Sequence, residues 1–221
     1  TFNTKGTHTI RVKISADGLK DFETSVTVSL TDEPGVTDGS VALVDPTGAS
    51  KPTAPYATWA TAANDLQTAI DAVTAGGTVY VANGTYALEQ TLTVNKTVTI
   101  RGFDRETGVA DPEKVVLDGQ DKVRCVSVPT GNHKPVFEGL KFYRGANAGG
   151  VGGGASVYGP VAAAVPDRPG VAPSFVNCVF ENCTAKEQGA ALNVRGSVYL
   201  ANCRFTGNKA TSGSYGNTVS V

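Results

Sequence analysis

Methionine is absent from the 221 residues, and the chain opens on Thr1-Phe2-Asn3 in mid-pattern. We read it as a mature or excised piece from which any secretion signal has been removed. No apolar run is long enough to span a bilayer, which excludes a transmembrane helix in this segment. An excess of either charge is also missing. Nineteen Lys and Arg against 20 Asp and Glu leave a net charge of −1, so neither nucleic acid nor an anionic membrane is expected as an electrostatic partner. The two histidines, His8 and His133, have no Ser, Cys or carboxylate partner in the pattern and read as structural. What remains is a soluble composition, 40% hydrophobic and 18% charged, with 26 glycines suited to many tight corners.

Within that composition lies an imperfect repeat. Ser174-Phe175-Val176-Asn177-Cys178-Val179-Phe180 recurs 25 residues later as Tyr199-Leu200-Ala201-Asn202-Cys203-Arg204-Phe205. Between them, Gly189-Ala190-Ala191-Leu192-Asn193-Val194-Arg195-Gly196 echoes Gly152-Gly153-Gly154-Ala155-Ser156-Val157-Tyr158-Gly159 at an offset of 37. Phe137-Glu138-Gly139-Leu140-Lys141-Phe142 precedes the first motif, offset by 38 at its final Phe. Two short strands that alternate in fixed order predict a solenoid, in which each repeat buries its apolar face against the next. A period near 25, Gly, Asn and β-branched residues, and little helical pattern point to a parallel β-helix.

The same alignment addresses the four cysteines. It puts Leu140, Cys178 and Cys203 at one inward position, where Cys acts as a small hydrophobe. Stacked strands lie about 4.8 Å apart, whereas the Cβ atoms of a disulfide prefer about 3.8 Å. Free thiols are therefore expected at Cys178 and Cys203, and the state of Cys125 and Cys183 stays open. Asn177 and Asn202, one residue earlier, are expected to form a structural ladder bonded from one repeat to the next.

Residues 1–33 differ from the rest. His8, Ile10, Val12 and Ile14 alternate with polar neighbours, as do Phe22, Thr24, Val26, Val28 and Leu30, on either side of Asp17-Gly18. This predicts a β-hairpin. Residues 34–55 form a linker with a short strand at Val41-Ala42-Leu43-Val44. In the 56–77 region Leu66, Ala69, Ile70 and Val73 mark one apolar helix face, starting at Asn64 (with Gln67) or at Thr61 and stopped by Gly76-Gly77. Residues 78–221 then carry short strands, from Thr78-Val79-Tyr80-Val81 through Gly84-Thr85-Tyr86, Leu92-Thr93-Val94, Val98-Thr99-Ile100 and Val115-Val116-Leu117 onward.

Val44-Asp45-Pro46-Thr47-Gly48, Trp59-Ala60-Thr61, Leu66 to Ala72 and Gly77 to Tyr86 together resemble the opening of right-handed parallel β-helix proteins of the pectate-lyase-like superfamily. The likeness is greatest to large secreted or surface bacterial proteins. Phe205-Thr206-Gly207-Asn208 and the Asn-Cys-x-Phe segments are similar to repeats of polymorphic outer-membrane adhesins. The hairpin resembles the last strands of an immunoglobulin-like or PKD-like sandwich, the alternative being a hairpin docked on the β-helix. The resemblance implies an all-β chain in which the helix caps a right-handed β-helix whose later coils continue beyond residue 221. It places the protein outside a bacterial cell or on its surface, where Asn-x-Thr matches such as Asn83-Gly84-Thr85 are coincidental.

Two functions follow from it. One is a non-catalytic segment used for adhesion or contact with a polysaccharide or host glycan. The alternative is the N-terminal part of a polysaccharide lyase, which needs carboxylates that hold Ca²⁺ and an Arg or Lys base. Asp118-Gly119-Gln120-Asp121-Lys122-Val123-Arg124 is the nearest candidate for such chemistry, although Asp-Gly and Gln-Asp are ordinary turn residues and Lys122 and Arg124 then simply face solvent. Asp104, Arg105, Glu106, Asp111 and Glu113 read as a surface loop. The paired aspartates of a pectin hydrolase are missing, and Gly149 to Gly154 lacks the Gly-Lys-Ser/Thr ending of a phosphate loop. No catalytic or metal residue is assigned, and no cofactor is expected apart from Ca²⁺ under the lyase alternative. For binding, the proline-rich stretch from Pro160 to Pro173 interrupts the repeat and predicts a projecting loop. Tyr158, Asp167 and Arg168 are its contact residues, unless it is a plain surface excursion.

Overall fold

Short β-branched and aromatic runs separated by Gly and Asn cannot make long strands, and the computed structural model of the chain has none in its larger part. It describes residues 6–14, 22–30, 38–48, 51–160, 167–212 and 218–221. The chain divides into two units, Thr1–Pro34 and Gly35–Val221.

In the first unit β1 (Gly6–Ile14) pairs antiparallel with β2 (Phe22–Leu30), with Ile14 opposite Phe22 and Gly6 opposite Leu30. The register sets Ile10 against Val26 and Val12 against Thr24. The expected Asp17-Gly18 turn lies outside the described residues.

The second unit begins with β3 (Val41–Val44), inside the stretch expected as a linker. After a short 3-10 turn, Trp59–Thr61, comes α1 (Leu66–Ala72). The helix starts neither at Asn64 nor at Thr61. Asp65 is the N-cap, because its extended backbone lets the carboxylate accept from Gln67 N at 3.1 Å and Thr68 N at 3.0 Å. Leu66, Ala69 and Ile70 are buried, as is Val73 just beyond, and they pack with Val79, Val81 and Leu92.

From there the chain visits the same sheets in the same order. The first passage is β4 (Thr78–Ala82), β5 (Gly84–Ala87) and β6 (Leu92–Thr93), and the second is β7 (Thr99–Phe103), β8 (Val115–Asp118) and β9 (Val126–Val128). The third adds a strand: β10 (Val136–Glu138), β11 (Lys141–Tyr143), β12 (Ala146–Asn147) and β13 (Ala155–Tyr158). β14 (Ser174–Val176), β15 (Val179–Glu181), β16 (Thr184–Ala185) and β17 (Leu192–Arg195) make the fourth. β18 (Tyr199–Ala201), β19 (Arg204–Thr206), β20 (Lys209–Ala210) and β21 (Val219–Ser220) make the fifth. Corresponding strands pair in parallel, giving sheets ordered β18-β14-β10-β7-β4-β3, β19-β15-β11-β8-β5, β12-β16-β20 and β21-β17-β13-β9-β6. The unit is mostly strand, with several parallel sheets and one α-helix among the described residues.

Register makes the core. Phe142, Phe180 and Phe205 are paired in successive strands, as are Ile100, Phe137, Phe175 and Leu200. Phenyl rings stack at the strand spacing, with centroids 4.6 Å apart for Phe142 and Phe180, and 4.8 Å for Phe137 and Phe175. Each fully buried ring contributes about 1.5–3 kcal/mol. Leu140, Cys178 and Cys203 follow one another along the stack, since Val179 N donates to Leu140 O and Arg204 N to Cys178 O.

The corners repeat as well. Gly139, Asn177 and Asn202 occupy one corner at φ of 63°, 51° and 52°, while Arg144, Asn182 and Gly207 occupy the next at 45°, 55° and 67°. Left-handed backbone, which Gly and Asn tolerate best, is therefore the reason for these asparagines. The side-chain ladder expected at Asn177 and Asn202 is replaced by a different bond, from Asn177 Nδ2 to Ala110 O at 3.3 Å.

Candidate functional site

Strand alternation determines which side chains leave the core. In β13 Ala155 and Val157 point inward, so Ser156 and Tyr158 point out; in β17 Leu192 and Val194 do the same for Asn193 and Arg195. Pairing aligns Thr93, Ser127, Ser156, Asn193 and Ser220 as one outward row without a charge. Beside it Tyr158 is paired with Arg195, whose guanidinium carbon lies 5.4 Å from the ring centroid.

Two members of the row are sunk. Ser156 is 2% exposed and Asn193 3%. Left-handed Gly152 and Gly189 explain this, because their backbones fold against the strand that follows. A Cβ on Gly152 would come 3.1 Å from Ser156 Cβ, and one on Gly189 would come 3.0 Å from Asn193 Cβ. Arg124 ties the glycine corner down, its Nε donating to Gly152 O at 2.6 Å and its Nη2 to Val151 O at 2.8 Å. Burial lowers the pKa of this guanidinium from its ordinary value. Asn193 Nδ2, by contrast, is a buried donor with no hydrogen-bond partner among the described residues, a condition that costs about 1–3 kcal/mol unless something accepts from it.

The interrupting segment leaves and returns at one corner. Gly159 N donates to Arg195 O at 2.9 Å, and Tyr199 N to Pro173 O at 2.9 Å. Tyr158 to Ser174 thus bridges the corner that Arg195 to Tyr199 bridges in the next passage. Asp167 and Arg168 stand on its returning limb, their side chains 75% and 72% exposed and 3.6 Å apart. Residues 161–166 lie outside the described set. No hydrogen bond or ion pair among the described residues joins Tyr158 to Asp167 or Arg168.

The charged corners are internally matched. Asp118 is buried and its Oδ1 accepts from Gln120 N at 2.8 Å and Arg144 Nε at 3.1 Å, with Arg144 Nη2 on the other oxygen. Arg124, expected to face solvent, instead serves the Val151–Gly152 carbonyls. The carboxylates and cations of 118–124 therefore do not converge. The 104–113 stretch, expected to be a surface loop, buries Asp104 at 5% exposure. Lys114 Nζ at 2.8 Å and Asn83 Nδ2 at 2.9 Å, with the Glu106 and Thr107 amides, hold its carboxyl well below the usual carboxylate range. Asp45, Thr47, Asn83, Asp104, Arg105 and Lys114 line a cavity of about 420 Å³, in which Arg105 pairs with Asp45 at 3.3 Å and covers Trp59. Glu113 bridges Lys141 and Arg204, and Lys141 reaches Glu181 at 3.2 Å.

A second cavity, about 620 Å³, lies between α1 and residues 86–93. Its polar groups are engaged locally: Asp65 caps the helix, and Gln67 exchanges bonds of 2.8 and 3.1 Å with the Thr93 backbone. Among the described residues no group of three or more His, Cys, Asp or Glu is placed to hold a metal ion. No helix there is long and apolar enough to cross a membrane. All four cysteines are free thiols.

No protein-family model, curated protein or solved structure matches the chain.

Proposed function

We propose that this chain is a right-handed parallel β-helix segment of pectate-lyase-like architecture from a secreted or surface bacterial protein. Its function is non-catalytic contact with a glycan, for adhesion, and the preceding hairpin is the end of an immunoglobulin-like domain. The observation that carries the reading is the Tyr158–Arg195 pair beside an uncharged outward row in which Thr93, Ser127 and Ser220 stay accessible. A saccharide presents hydroxyls at its edges and C–H groups on its faces. The Thr93 and Ser127 hydroxyls, paired on neighbouring strands, answer the first, and the Tyr158 ring answers the second. Asp167 and Arg168, exposed on the neighbouring loop, extend the contact.

Mutual neutralisation of the carboxylates supports contact over lyase chemistry, since Asp118 and Asp104 are each held by a cation rather than presented to Ca²⁺ and a uronate. Calorimetric titration with polysaccharides, followed by Tyr158→Ala, tests the reading. We expect affinity to fall about tenfold, the equivalent of about 1.4 kcal/mol. Binding indifferent to Tyr158→Ala and Arg195→Ala overturns the placement of the site. Unsaturated, ultraviolet-absorbing product from polygalacturonate or alginate, abolished by Asp118→Ala, overturns the non-catalytic reading.

A further inference from the structure

One arginine differs from the others in what it touches. Among the described residues Arg101, Arg105, Arg144, Arg168 and Arg204 each pair with a carboxylate. Arg124 donates to two backbone carbonyls. Arg195 is exposed and has neither an ion pair nor a side-chain hydrogen bond among the described residues; it rests over the Tyr158 ring, 5.4 Å from the centroid. The sheet around it offers nothing to neutralise it. Its strands, β6, β9, β13, β17 and β21, contain no Asp or Glu and no charge besides Arg195.

A guanidinium over an aromatic ring uses its π face, while its N–H donors lie in its own plane and stay free for an oxyanion. The ring also restrains a long side chain, so less rotamer freedom is lost when a ligand arrives. Guanidinium is weakly hydrated, and its favoured partner is an anion that is also weakly hydrated. A sulfate half-ester meets that condition better than a carboxylate does. With a net charge of −1 the chain has no general attraction for polyanions, so any such preference must be local. We propose that Arg195, held against Tyr158, makes this surface selective for a sulfated glycan, its N–H edge receiving the sulfate oxygens. The proposal rests on the glycan-contact reading above and adds the charge of the ligand to it.

Calorimetric titration of the 221-residue chain with dextran, carboxymethyl dextran and dextran sulfate of equal length tests it. Dextran sulfate should bind about tenfold more tightly than dextran, as expected of hydrogen bonds between charged groups, with carboxymethyl dextran between them. Arg195→Gln should erase the difference while circular dichroism stays unchanged. Arg195→Lys should keep only part of it, because an ammonium lacks the planar fork. Lys209→Gln, on another sheet, should change nothing. The proposal is overturned if Arg195→Gln still prefers dextran sulfate, if Lys209→Gln loses the preference as well, or if carboxymethyl dextran binds as tightly as dextran sulfate. Equal affinity for all three polymers, weakened by Tyr158→Ala, overturns the sulfate selectivity and leaves glycan contact standing. Binding by none of them, or binding that ignores both Tyr158→Ala and Arg195→Gln, overturns both.

Discussion

Asn202 shows how a single backbone angle decides a residue. It sits at φ 52° and is exposed, in a corner shared with Gly139 and Asn177. Left-handed backbone costs an ordinary L-residue about 1–2 kcal/mol, a penalty that Gly avoids and Asn reduces. Asn202→Ala should therefore lower stability by about 1 kcal/mol, and Asn202→Gly should leave it nearly unchanged. Urea unfolding of both variants checks this; equal losses would show that the side chain, not the backbone, is what matters. At Gly139 the demand is stricter, because a Cβ would also strike Ala110. The recurrence of Asn before Cys was readable as a repeat. Its cause was not, since φ is not written in the residue type.

At the scale of elements, the 103–114 connection is held by groups drawn from different passages. Asn83 follows β4, and Lys114 precedes β8, yet both meet Asp104. Because that carboxyl titrates lower in the folded chain than in the unfolded one, it adds stability above the unfolded value of about 4. The increment fades as the pH drops through the lower folded value. Asp104→Asn should therefore weaken the protein at pH 7, and the gap from the parent should close in acid, below about pH 4. Thermal melts across that range test it, and a gap independent of pH would assign the loss to packing instead. Solvent around Lys114, half exposed, keeps the effect modest. Offsets of 37, 38 and 25 made the strand register legible, because inward residues that alternate must stack on their counterparts. The two-residue strands β12, β16 and β20 carry no such pattern. Asp65 rather than Asn64 caps α1 for a reason equally invisible in sequence, the extended backbone at that one residue. Tyr158 was proposed from its place beside the proline-rich interruption, and the offset of 37 already aligned Ser156 with Asn193, but the burial of both beneath Gly152 and Gly189 is legible only in the structure.

For the whole molecule, the question is how far cooperation extends along the stack. Each passage pairs only with its neighbours, so stability approximates a sum of passages and interfaces. α1 and β3 lie at one end, and β18 to β21 form the outermost strands at the other. Removing residues 197–221 uncovers Phe175 and Phe180, which Leu200 and Phe205 now meet, and leaves the earlier passages with their own pairings. Two ties work against this independence: Asn177 Nδ2, after β14, donates to Ala110 O, before β8, and Glu113, which also precedes β8, pairs with Arg204 of β19. That ion pair is exposed on both sides and contributes little. We therefore expect the truncated chain to unfold in one transition with a denaturant slope lower by roughly a fifth, the share of one passage in five. Its newly exposed rings should bind a hydrophobic dye. Loss of cooperative unfolding would mean that the last passage supports the others well beyond its neighbour, and that the stack behaves as one indivisible core.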